Sequence, residues 1–144
     1  MKRVFLDTNI IIDFFADRKP FSADAEKIFD LAYKGKIILV ISAISYNNIY
    51  YLLRKSLKES EVINLLGQLL KFTQVAELSK KTLQMAITSG VSDFEDAIQY
   101  YSALHFGKVD CIVTRDIKGF KKSNLPVFNP HEILKLVESN NFKK

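Results

Sequence analysis

Asp7, Asp96 and Asp116 are the side chains of this sequence best placed to do chemistry, because each stands at the edge of an apolar run. Val4-Phe5-Leu6 reads as a buried strand and leads straight into Asp7-Thr8-Asn9. Cys111-Ile112-Val113 reads as another and leads into Thr114-Arg115-Asp116. Between them, Ser92-Asp93-Phe94-Glu95-Asp96 opens an apolar helix with an acidic cluster. An ionised carboxylate at the edge of a core is costly unless a cation meets it. Three such places on separate elements point to a pocket for Mg2+ or Mn2+, which prefer oxygen ligands. A cation there neutralises carboxylates that would otherwise repel one another. It can also activate water and offset charge on a scissile phosphate.

Most of these acids have an ordinary structural use as well. Asp7 can cap a helix ahead of Ile10-Ile11-Ile12, and Asp116 can begin a turn before Lys118-Gly119. Ser92 and Glu95 have the S-x-x-E spacing of a capping box, which reads Glu95 as structural. Asp93 then falls at the first helical position, where its charge complements the helix dipole. Asp96 lies past the box, beside Phe94, Ala97 and Ile98, and has no such use. The joint pattern is what favours the pocket. Other chemistries lack their residues: His105 and His131 are isolated, and a single cysteine cannot build a zinc site. The sequence has no phosphate-binding glycine loop and no nucleophile elbow.

The acids can meet only if the elements bring them together. Short β-rich runs alternate with longer helical segments, the pattern of an α/β domain. We expect a three-layer α/β/α sandwich around a mainly parallel sheet of four or five strands. Strands are expected at 3–6, 37–41, 72–75 and 111–113, with 127–128 at an edge. Helices are expected at 21–33, from Ser42 or Ser45 to 54, at 60–70, 79–89 and 92–106, and after Asn129. Such sheets bind ligands beyond the carboxyl ends of their strands, where the strand order reverses. Asp7 and Asp116 occupy strand ends. Asn48, in the helix after the second strand, and Asp96 can converge on the same edge.

The bulk properties fit one globular domain over residues 1–144, with 48% hydrophobic and 26% charged residues. A net charge of +5 mildly favours a polyanionic partner. Cys111 is the only cysteine, so no intrachain disulfide forms and a reducing compartment fits. Asp7 and Asp13 break the N-terminal apolar runs too early for a signal peptide or a membrane span. The expectation is a soluble cytoplasmic protein.

Phe5-Leu6-Asp7-Thr8-Asn9, Ser92-Asp93-Phe94-Glu95-Asp96-Ala97-Ile98-Gln99 and Ile112-Val113-Thr114-Arg115-Asp116 resemble the PIN-domain family of metal-dependent ribonucleases. With Leu125-Pro126-Val127 and Asn129-Pro130 in the tail, the likeness is to the VapC-type toxins of bacterial toxin–antitoxin pairs. The resemblance implies a PIN-like fold and a metal-dependent endoribonuclease that cuts RNA at a phosphodiester. Asp7, Asp96 and Asp116 would bind Mg2+ or Mn2+. Asn48 stands where the family usually has a Glu, and an amide oxygen there can hold metal or water but adds no charge. Asp93 would supply the missing charge. Thr8, Asn9 and Thr114 would orient the carboxylates. Arg115, Lys118, Lys121 and Lys122 would hold the RNA backbone. The family also implies a homodimer and an antitoxin whose C-terminal segment blocks the acidic groove.

Tyr46, Tyr50 and Tyr51 have helical spacing and read as core or interface rather than as base-stacking residues. Two other folds that place an Asp after a strand fit poorly. A haloacid-dehalogenase phosphatase needs a second Asp where Asn9 stands, and a receiver domain needs one in Val40-Ile41-Ser42-Ala43. The alternative from another class is a catalytically weak PIN-like RNA-binding module, motivated by Asn48.

Overall fold

The computed structural model describes residues 2–139; the expected span of 1–144 extends beyond them at both ends. Its sheet has five parallel strands in the order β3-β2-β1-β4-β5. They are β1 (Lys2–Leu6), β2 (Ile37–Ser42), β3 (Gln74–Ala76), β4 (Cys111–Val113) and β5 (Val127–Phe128). The chain builds outward from β1 through β2 to β3, then returns to the other side of β1 with β4 and β5. The order therefore reverses between β1 and β4.

Alternation along the strands sets the two faces, since successive side chains point to opposite sides. Val4, Leu6, Leu39, Ile41, Cys111 and Val113 face one core. It is covered by α1 (Thr8–Phe15), α2 (Ser22–Tyr33), α3 (Ala43–Leu53), α4 (Glu59–Phe72) and α7 (Pro130–Glu138). Phe5, Val40 and Ile112 face the opposite core, which α6 (Phe94–Phe106) covers, with α5 (Lys80–Thr88) packed against α6. This is the expected three-layer sandwich, with the larger strand count realised and every pairing parallel. Strands buried on both faces explain the unbroken apolar run Ile37-Ile38-Leu39-Val40-Ile41.

Local signals set most of the helix ends. Ser42 caps α3 by accepting from Ser45 N at 3.3 Å. Asn129, Pro130 and Glu132 form the expected capping box of α7. Gly90, with φ of 75°, takes the left-handed turn after α5 that other residues adopt only with strain. Of the three tyrosines, Tyr46 and Tyr50 pack against the larger core while Tyr51 is exposed. Among the described residues, no helix is long and apolar enough to cross a membrane.

Candidate active site

Asp7 stands at the N-cap of α1 with extended backbone, yet its carboxylate makes no capping bond. It turns beneath the helix instead and is only 3% exposed. Gln99 Nε2 donates to Oδ1 at 3.0 Å and Thr114 Oγ1 donates to Oδ2 at 2.7 Å. The same Gln99 accepts from Thr8 N at 3.3 Å, so one buried amide locks α6 to the start of α1. Both donors are themselves fully buried, and these bonds offset the cost of burying a charge. Thr8 Oγ1 continues the network to Ser45 at 2.6 Å, which meets Ser42 at 3.1 Å.

Thr114 ties the second acid to the first. Its Oγ1, which donates to Asp7, also accepts from Asp116 N at 2.9 Å. Asp116 caps a 3-10 turn over Ile117–Phe120, accepting from Gly119 N at 3.3 Å. A Cβ at Gly119 would overlap Asp96 Oδ2 and lie 2.9 Å from Asp116 Oδ2. The carboxylates of Asp96 and Asp116 thus crowd one glycine, and a side chain there would have to displace them. Gly119→Ala is expected to force the two acids apart and weaken any divalent cation they share by about tenfold, the lower end of losses from disturbed support around a metal site. Calorimetric Mn2+ titration of the variant checks this.

Asp96 lies in the first turn of α6, its own N–H held by the Asp93 side chain at 3.0 Å. Its proton affinity is pushed up to about 7, first by burial and then by the charges of Asp93, Asp7, Asp116 and Glu95. Acids from α1, α6 and the β4 exit therefore share one field. The sign for stability follows from linkage. A carboxyl that binds its proton more tightly in the folded state stabilises that state below its unfolded midpoint of 3.8 and loses the contribution as pH rises through about 7. In chelator, the melting temperature is expected to fall between about pH 4 and about pH 7, and Asp96→Asn should flatten that fall.

The acids flank β1 and β4, between which the strand order reverses, so they occupy the switch-point crevice of an open parallel sheet. A family model described as PIN domain matches residues 3–118. The chain belongs to the PIN domain family. It is 28% identical over 137 residues to ribonuclease VapC1 of Aquifex aeolicus, covering 91% of this chain and 92% of that protein. Solved structures with the same fold include VapBC-1 of nontypeable Haemophilus influenzae, with a TM-score of 0.64, 20% identity, and coverage of 90% of this chain and 98% of that one. A toxin–antitoxin complex from Klebsiella pneumoniae also has a TM-score of 0.64 and 20% identity, covering 88% of this chain and 97% of that chain.

Within this PIN domain several side chains lie where the sequence did not put them. The expected Ser92/Glu95 box does not form. Asp93 is the N-cap of α6, which begins at Phe94 rather than Ser92. Asp and Ser cap about equally well, and Glu95 is drawn elsewhere: Asn48 Nδ2 donates to its Oε2 at 2.7 Å. Asp93 spends one oxygen on the Asp96 amide. Asn9 is half-buried, and among the described residues no hydrogen bond joins its side chain to Asp7, Asp96 or Asp116. Gln99 and Ser45, neither of which the sequence marks as a partner of the acids, hold Asp7 and Thr8 instead.

Arg115 is also committed elsewhere. Its guanidinium donates to buried Asp13 at 2.7 and 3.1 Å and lies 3.8 Å above the ring of Phe21. Lys118, Lys121 and Lys122 keep to the site. With Gly90, Val91, Ser92 and Gly119 they line a cavity of about 160 Å3. Gly119 is thus a wall shared by this basic cleft and the acid pair.

Asp7, Asp96, Asp116 and Glu95 offer only oxygen donors, which suits a hard cation. Among the described residues no three acidic, histidine or cysteine side chains close on a single ion. The residues therefore fit an ion that keeps several waters and takes one or two carboxylates directly, the habit of Mg2+. Asp96 and Asp116 both lie against Gly119.

Proposed function

We propose that this PIN domain is a metal-dependent endoribonuclease and the toxin of a type II toxin–antitoxin pair. The observation that carries the reading is the meeting of Asp7, Asp96 and Asp116 through Thr114 and Gly119 at the switch point of the sheet. Mg2+ or Mn2+, when bound, supplies a Lewis acid for the scissile phosphate and lowers the pKa of water. Asp96 and Asp116 would hold the ion, and buried Asp7 would accept from the waters it keeps. Gln99 and Thr114 keep Asp7 fixed, so no reorganisation is needed when charge develops. Lys118, Lys121 and Lys122 seat the RNA backbone in the cleft beside Gly119. Cytoplasmic RNA is the substrate class.

An antitoxin is the expected partner, and a second copy of the chain the expected assembly. Phe14, Phe29, Tyr33 and Phe72 line a cavity of about 590 Å3 between α1, α2 and α4. Tyr33, Leu70 and Phe72 remain exposed there or nearby, an apolar surface of the kind that partners cover.

The test is to incubate the purified protein with single-stranded RNA and Mn2+, with and without chelator. Cleavage that chelator abolishes is the expected result. RNA retained without cutting would favour the alternative, a catalytically weak binding module, for which the neutral Asn48 is the specific motive. Charge reversal of Lys121 and Lys122 is expected to reduce the salt dependence of RNA binding by about 0.7 in log–log slope for each phosphate no longer neutralised. Binding isotherms at several salt concentrations check this.

A further inference from the structure

Lys118, Lys121 and Lys122 line a cavity of about 160 Å3 whose remaining walls, Gly90, Val91, Ser92 and Gly119, carry no charge. Among the described residues none of these lysines forms an ion pair, although Asp96 and Asp116 lie against Gly119, one of those walls. Like charges around one small cavity repel one another until an anion sits among them. A cationic and an acidic compartment thus share a single glycine without neutralising each other. Size decides what the cationic one can take. At about 30 Å3 for each water it has room for about five, the heavy-atom count of one phosphate group. Pockets that bury a whole drug-sized ligand run from about 300 to about 1,000 Å3, so this one is too small to enclose a base with its ribose.

We propose that this cavity is a subsite for one phosphate of the RNA, that of a linkage flanking the scissile one. The assignment deepens the nuclease reading above and rests on it: the acids serve the bond that is cut, and the lysines hold its neighbour. Lysine ammonium groups bind phosphate as point charges, and such a contact carries no sequence information. What it fixes is register. With the neighbouring phosphate seated, the scissile linkage comes to rest against Asp96 and Asp116 rather than sliding past them.

The test removes one charge from the RNA at a time. The cut is mapped on a single-stranded RNA in Mn2+, and each linkage other than the scissile one is replaced in turn by a neutral methylphosphonate. The expected result is a fall of about tenfold or more in kcat/KM from one linkage, directly upstream or directly downstream of the cut, the scale of losing hydrogen bonds to a charged group. Linkages farther away should each cost far less. In Lys118→Gln, Lys121→Gln and Lys122→Gln the same neutral linkage should cost less than in wild type, because its partner is already reduced. RNA affinity in chelator, with circular dichroism confirming the fold, reads the same coupling where cleavage is slow. An even spread of losses, over both flanking linkages or over all, overturns the subsite and leaves the nuclease standing. So does a flanking loss undiminished in all three variants. No cleavage of RNA in Mn2+ overturns the nuclease reading itself, and this assignment with it.

Discussion

An Asp7→Asn protein is expected to cleave RNA about 10^3-fold more slowly than wild type while keeping its fold, the scale seen when one preorganised electrostatic contact is removed from an active site. Asn is isosteric with Asp, and the buried slot between Gln99 and Thr114 has room for it. Its single carbonyl oxygen can satisfy one of the two donors. The other then faces an amide NH2, although the Thr114 hydroxyl can rotate. A local cost of about 1–3 kcal/mol for the charge-assisted bonds is partly returned, because Asp96 no longer feels the charge of Asp7. The net change in melting temperature should be small. The midpoint of Asp96, about 7 in the wild type, should fall in the variant. Gel-resolved cleavage rates and NMR titration of the Asp96 carboxyl check the two halves separately. Equal product from both proteins would remove the nuclease assignment.

The placement of Asp7 was readable because Val4-Phe5-Leu6 is an apolar run that a two-sided parallel strand requires, and it ends at the acid. What Asp7 does there was not readable. Its capping preference argued for a bond to α1, and the structure gives that bond up for two buried donors from α6 and the β4 exit. Gln99 lies 92 residues away from Asp7, and nothing in a helical heptad distinguishes a buried Gln that orients a carboxylate from a solvated one. The Ser92/Glu95 spacing misled for a related reason. Local capping rules rank Ser92 and Asp93 alike, and the tie is broken by Asn48 on another helix, which takes Glu95 away. Strand and helix periods are local quantities and survive reading in one dimension. The partners of a buried polar group are long-range and do not.

Arg115 is the sharpest case of such a partner, and it yields the largest expected change in stability. Asp13 is 1% exposed and accepts from Arg115 Nε at 2.7 Å, from the other Arg115 nitrogen at 3.1 Å and from Arg18 Nε at 3.0 Å. Breaking a buried pair by removing one partner typically costs 3–5 kcal/mol, because the remaining charge is left uncompensated. Here both arginines are partly exposed, at 27% and 40%, so they rehydrate and the cost falls at the low end. Asp13→Ala is expected to lose about 3 kcal/mol, or roughly 10 °C in melting temperature for a chain of this size. Arg115→Ala should cost less than that. The double variant should cost less than the two single losses added together, since each single change already breaks the same bridge. Strict additivity would show that the pair is not coupled. RNA binding distinguishes the two roles open to Arg115. The Arg115 charge is paired with Asp13 and its guanidinium is stacked on Phe21, so Arg115→Ala should leave the salt slope of binding unchanged, whereas the Lys121 and Lys122 reversals reduce it. Because Arg115 sits between Thr114 and Asp116, the same bridge fixes the segment that carries one of the acids. Cleavage should therefore fall in Asp13→Ala even at temperatures where the variant remains folded.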